Sequence, residues 1–134
     1  MKIETYIFFT DQCAEAMRFY EKVLGGKIEA MMTYGDSPAG PHNPPEMAHK
    51  VIHARLTVGN AVLMASDGPE AETRKGFAVT LQVDTIAEAD KLFNALSEGA
   101  TITMPIGETF FSKRFGMLTD KFGVPWMVNC VHPM

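Results

Sequence analysis

The stretch AEAMRFYEKVLGGKIEA at residues 14–30 returns in altered form as AEADKLFNALSEGATIT at residues 87–103. Shifted by 73 positions, Asp11 meets Asp84, Ala14-Glu15-Ala16 meets Ala87-Glu88-Ala89, Gly26 meets Gly99 and Met31 meets Met104. These are six identities in 21 positions, more than composition alone supplies. Arg18, Phe19 and Tyr20 also fall on the chemically similar Lys91, Leu92 and Phe93. A period this long, met twice in 134 residues, means two related halves rather than a solenoid.

Each half reads as strand, helix and then three strands. In the first, TYIFF is a short run of aromatic and β-branched residues, and Thr10-Asp11 offers a helix N-cap. Cys13, Ala16, Met17, Tyr20, Val23 and Leu24 recur at helical spacing, Gly25-Gly26 ends the helix, and KIEAMMTY resumes extended structure. In the second, FAVTLQV predicts a strand, Thr85 with Glu88 a capping box, and Ile86, Ala89, Phe93 and Leu96 the apolar stripe of a helix ending near Gly99. Gly59-Asn60 predicts a tight hairpin between AHKVIHARLTV and AVLMASD. Lys121-Phe122-Gly123 separates the last two strands, TFFSKRFGMLTD and VPWMVNC. The one long irregular stretch, GDSPAGPHNPPEM at 35–47, has the place and composition of a loop that could act as a lid. The reading is a single α+β domain over 1–134, with one module at about 1–68 and another at about 76–134. Two such βαβββ modules would form a curved mixed sheet around a cleft, with the helices on the outer face.

Bulk properties remove several function classes. A net charge of −4 disfavours a general nucleic-acid binder. No apolar run is long enough to span a bilayer, so no membrane partner is expected. The segment MKIETYIFF lacks the features of a secretory signal. Two cysteines, Cys13 and Cys130, without a CxxC spacing suggest neither a disulfide framework nor a zinc finger, and a cytoplasmic setting is expected.

FYEKVLGG after a first strand, the duplicated βαβββ pattern and the closing LTDKFGVPW make the chain resemble the glyoxalase/bleomycin-resistance/dioxygenase, or vicinal oxygen chelate, superfamily. The stretches FFTDQCAEAMRFYEKVLGGKI, HARLTVGNAVLMASD and ETFFSKRFGMLTDKFGVPW look closest to its PhnB-like branch. The resemblance implies four cleft positions at which metal-dependent members carry His or Glu. Carried across, these positions are Thr5, Met64, Ala78 and Met127. None offers an imidazole or carboxylate, and a thioether suits only soft metals, so no metal and no other cofactor is expected. Glu4 adjoins Thr5, but no His or Glu adjoins the other three.

The histidines are the other candidate metal ligands. His42, His49, His53 and His132 include one pair at helical i, i+4 spacing, His49 and His53. Their segment reads as strand, which would hold them roughly 13 Å apart, too far for a shared ion.

Strand alternation sorts the two sheet faces. Val79, Leu81 and Val83, with Ile52, Ala54, Leu56 and Val58, should pack under the helices, as should Trp126 and Val128. The cleft face then holds His53, Arg55, Thr57, Met64, Ser66, Ala78, Thr80, Gln82, Met127 and Asn129. An apolar lining with a few placed polar groups suits a small-molecule site. His53 is the candidate catalytic group, set against an ordinary structural histidine. Arg55 needs an anion, which Asp67, Glu108 or a ligand could supply. Arg114 reads either as a rim anchor for the ligand or as a surface charge, and Asp67-Gly68-Pro69 as a turn. Met64 and Met127 could equally be core filling.

The function expected is a PhnB-like protein binding a small organic ligand, anions included, without the superfamily metal, as the bleomycin-binding members of the superfamily do. The alternative is an enzyme: metal-independent, with His53 moving a proton and Arg55 holding the substrate, or a metal-dependent lyase, isomerase or dioxygenase with ligands placed elsewhere. Similar sequences often carry a demethylubiquinone methyltransferase label, yet no glycine-rich nucleotide motif is present. The resemblance also implies a two-fold homodimer.

Overall fold

A computed structural model describes residues 1–38, 40–68 and 73–131. The chain divides into two compact units, Met1–Glu72 and Thr73–Met134. Both use the same order of elements. The first runs β1 (Thr5–Phe9), α1 (Cys13–Leu24), β2 (Lys27–Thr33), β3 (Val51–Val58) and β4 (Ala61–Asp67). The second runs β5 (Val79–Gln82), α2 (Ile86–Leu96), β6 (Thr101–Gly107), β7 (Ser112–Thr119) and β8 (Pro125–Val131). Each unit forms a four-stranded mixed sheet, ordered β1-β4-β3-β2 and β5-β8-β7-β6. The first strand runs parallel to the last, which requires a long connection across the sheet. Part of that connection is the helix, and its apolar stripe is what seats it.

In the first unit, Cys13, Ala16, Met17 and Tyr20 of α1 are buried, while Val23 and Leu24 are half-buried. The helix packs against β2, β3 and β4, whose buried Ala54, Leu56, Leu63 and Ala65 stand opposite one another in register. Gly25 ends α1 in the left-handed region at φ 69°, and Gly26 N–H closes a Schellman bond to Glu21 O at 3.1 Å. A Cβ on Gly26 would stand 2.5 Å from Thr57 O, so glycine is what lets the chain leave the helix against β3.

The expected cap at Thr10-Asp11 does not form. Gln12 occupies the N-cap without a side-chain bond, and Asp67 Oδ1, from the end of β4, accepts from Cys13 N at 3.0 Å. Asp67 Oδ2 accepts from Val51 N at 2.9 Å. The residue read as part of a turn is therefore a buried carboxylate joining helix, strand and loop, and Pro69 lies outside the described residues. A charged acceptor satisfies two buried backbone donors here, each such bond worth about 1.5–3 kcal/mol.

The second unit repeats the plan with its own chemistry. Thr85 Oγ1 accepts from Glu88 N at 3.1 Å, which is the Thr side of the expected capping box. Ala89, Phe93 and Leu96 are buried under α2, but Ile86, expected in that stripe, is 39% exposed. Gly116 of β7 lies so close beneath the helix that a Cβ would meet Phe93 Cε2 at 2.6 Å. Asp120 Oδ1 accepts from Phe122 N and Val124 N, and its Oδ2 accepts from Trp126 Nε1 at 2.8 Å, tying the last turn to the buried indole.

Gly59-Asn60 does join β3 to β4, with Gly59 at φ 58° and Val58 paired to Ala61. The 35–47 stretch is more organised than its composition suggests. Two single 3₁₀ turns, Gly40–His42 and Pro45–Met47, lie within it. Its base is closed by Tyr34 N to Lys50 O and Gly35 N to Ala48 O at 2.9 and 3.0 Å. Among the described residues, no helix is long and apolar enough to cross a membrane.

Candidate functional site

Each sheet has one face under its helix and one face free of it, and strand register assigns the residues of both. In the first unit, Tyr6 pairs with Met64, Arg55 with Met64, and Phe8 with Ser66. Met32 pairs with His53 and Ala30 with Arg55. Directly opposed residues project to one side, so Tyr6, Phe8, Met32, His53, Arg55, Met64 and Ser66 share the face away from α1.

This register corrects one expectation. Thr5 pairs with Leu63 and shares its face with the buried Ile7 and Phe9. The position on the open face is Tyr6, 37% exposed, whose Oη lies 3.4 Å from His53 Nδ1. The helices repeat with a shift of 73, but the faces of the preceding strands do not. Ile7 and Phe9 point under α1, while their counterparts Thr80 and Gln82 pair with Met127 and Asn129, away from the buried Trp126 and Val128. Ala78 precedes β5, which is shorter than the 77–83 expected, and is half-buried.

Arg55 is half-buried and makes no hydrogen bond or ion pair with any described residue. Asp67 does not serve it: its carboxylate accepts from Cys13 N and Val51 N and forms no ion pair with Arg55. A cation left in this position favours an anionic guest. His53, Tyr6 and Ser66 add a titratable ring and two hydroxyls on the same face, and Phe8, 55% exposed with its ring 4.9 Å from that of Tyr6, adds an aromatic surface.

In the second unit the face away from α2 carries Thr80, Gln82, Met117, Met127 and Asn129. Asn129 Nδ2 donates to Gln82 Oε1 at 3.0 Å, and Thr80 Oγ1 makes a long contact of 3.8 Å to Met127 Sδ. Arg114 goes elsewhere: its Nε donates to Asp90 Oδ1 of α2 at 3.2 Å and its Nη1 to Lys113 O. That commits it to bracing the helix.

The other histidines scatter. His49 lies before β3 rather than within it, 3.2 Å from Asp11 Oδ1, so it and His53 have different partners. His132 lies outside the described residues. Taken one by one, Tyr6, Met64, Ala78 and Met127 offer a phenol, a thioether, a methyl group and a thioether, none of them a usual ligand of a hard divalent ion. Among the described residues, no three His, Cys, Asp or Glu side chains gather at one point.

Sequence reasoning missed Tyr6 because YIFF is apolar on both faces and shows no alternation. His53 and Arg55 were legible because polar and apolar residues alternate along β3. The Cys13 thiol, 0% exposed, is pushed from 9.0 up to about 12 by burial and then by the nearby Asp67 carboxylate, so it is not a reactive thiol.

Comparison with known proteins gives this arrangement relatives. The family model described as Glyoxalase/Bleomycin resistance protein/Dioxygenase superfamily matches residues 2–128. The solved structure of protein PA1353 from Pseudomonas aeruginosa is 47% identical, covers 99% of both chains and superposes with a TM-score of 0.91. A Bacillus cereus structure titled putative 3-demethylubiquinone-9 3-methyltransferase, PhnB protein, is 30% identical over 98% of this chain and 100% of its own, with a TM-score of 0.81. Protein YjdN of Escherichia coli is 29% identical over 98% of this chain and 96% of its own length.

Proposed function

The chain belongs to the glyoxalase/bleomycin resistance protein/dioxygenase superfamily, and from that premise we propose that it is a PhnB-like member binding a small organic anion without the superfamily metal. The single observation carrying this reading is Arg55: a half-buried guanidinium on the open face of the first sheet, with no counter-charge among the described residues. Arg55 receives the carboxylate or phosphonate of the ligand, while Ser66 and His53 offer further hydrogen bonds. Phe8 and Met64 contact its apolar body. On the second sheet, by itself, Thr80, Gln82, Met127 and Asn129 share the face away from α2, and Arg114 braces α2. The working form is a homodimer, as the resemblance implies.

The methyltransferase name carried by the Bacillus cereus relative is not extended to this chain, which has no glycine-rich loop of the kind that cradles a nucleotide. A second reading is favoured by the Tyr6–His53 contact. If the protein is an enzyme, His53 would transfer the proton and Tyr6 would hold the ring in place.

The test is a thermal-shift titration with benzoate and phenylphosphonate on protein purified without added metal. Both anions should raise the Tm of the wild type, and Arg55→Gln should weaken them by about tenfold or more, as loss of a charge-assisted hydrogen bond does. Equal binding by Arg55→Gln, or no shift with either anion, would sink the reading. So would one tightly held equivalent of Zn, Ni, Fe or Mn.

A further inference from the structure

The face of the second sheet away from α2 is organised in two adjacent rows. In one, Met104, Met117, Met127 and Thr80 stand in register across four strands. In the next, Phe115, Asn129 and Gln82 stand in register across three strands. Asn129 is only 9% exposed, and its amide is half used. Its Nδ2 donates to Gln82 Oε1, but its Oδ1 accepts from no described residue, and it is the one buried side-chain polar atom among them without a partner. Buried acceptors are almost always satisfied, because a lost hydrogen bond to water is not recovered otherwise. Gln82, by contrast, is exposed and can satisfy its own amide from solvent.

We propose that Asn129 Oδ1 is the acceptor of a ligand subsite that takes an uncharged O–H or N–H donor on an apolar, polarisable body. The donor is uncharged because no residue in either row is ionisable, so neither row supplies a counter-charge to an ammonium. The body is polarisable because the neighbours are thioethers and an aromatic ring, and Met sulfur makes favourable contacts with aromatic groups. Tests on Arg55 leave this inference untouched, since it uses residues of the second unit alone.

A matched probe pair decides it. In the full chain labelled at the Met methyl carbons, benzyl alcohol and benzyl methyl ether are titrated while the Met117 and Met127 resonances are followed. The alcohol should shift both resonances saturably and bind at least about fivefold tighter than the ether, which has the same body but no donor. Asn129→Leu should bring that ratio to one, and Asn129→Ala makes the same comparison should leucine not be accommodated. A wild-type ratio of one overturns the proposal, and so does a preference for the ether, which would make the orphan amide atom a donor. Shifts confined to Met32 and Met64 would place the probe on the first sheet and overturn it equally.

Discussion

Asp67 shows how much one side chain can hold when its partners are distant in sequence. It stands 54 residues from Cys13, yet it supplies the hydrogen bond that α1 lacks at its own N-terminus. Burial, and after it the same carboxylate, keeps the Cys13 thiol protonated in the folded protein well above pH 9. In the unfolded chain that thiol ionises near 9.0, so between about pH 9 and 12 the folded state binds the extra proton. Stability from this group is therefore complete below pH 9 and falls as pH rises, by up to about 1.4 kcal/mol per pH unit. Urea melts of wild type and Cys13→Ala at pH 8, 9 and 10 should show their stability difference shrinking as pH rises. A difference that stays constant would refute the assignment.

The two helices obey the 73-residue repeat, and the strands feeding them do not. A helix is placed by a stripe of apolar residues at 3.6 spacing, which both copies retain. A strand's facing changes with a slip of one residue, and β1 and β5 differ by such a slip. Glycines set the closest contacts between elements. Gly26 has ordinary φ, so Gly26→Ala meets a purely steric obstacle, the Thr57 carbonyl at 2.5 Å, which is backbone and cannot turn away. The substitution should cost about 2 kcal/mol, within the usual overpacking range. Chemical denaturation reads this directly, and an unchanged midpoint would show that the α1–β2 junction yields more easily than its geometry suggests.

For the whole molecule, each unit is complete as strand, helix and antiparallel meander, with the first strand returned parallel to the last. The proposed homodimer is tested by light scattering on the eluting protein. It should weigh twice the chain mass of 14.8 kDa, and a single-chain mass across micromolar concentrations would remove the proposal.

Amino-acid order alone determined what depends on neighbours close in the chain. The α1 and α2 stripes, the Gly25-Gly26 stop, the Thr85 cap and the Gly59-Asn60 hairpin were all legible, because each is a local pattern acting through local hydrogen bonds or periodic burial. The open-face placement of His53, Arg55 and Met64 followed from alternation in β3 and β4. Tertiary structure alone decided the rest. It placed Tyr6 rather than Thr5 on the open face, because pairing with β4 settles a register that the four apolar residues of YIFF leave undetermined. It took Asp67 from a turn to a buried staple, and sent Arg114 to Asp90. It also left one oxygen of Asn129 buried and without a partner among the described residues. In each case the deciding partner lies on another element, and a charge or a polar atom takes its role from what folding brings within about 3 Å of it.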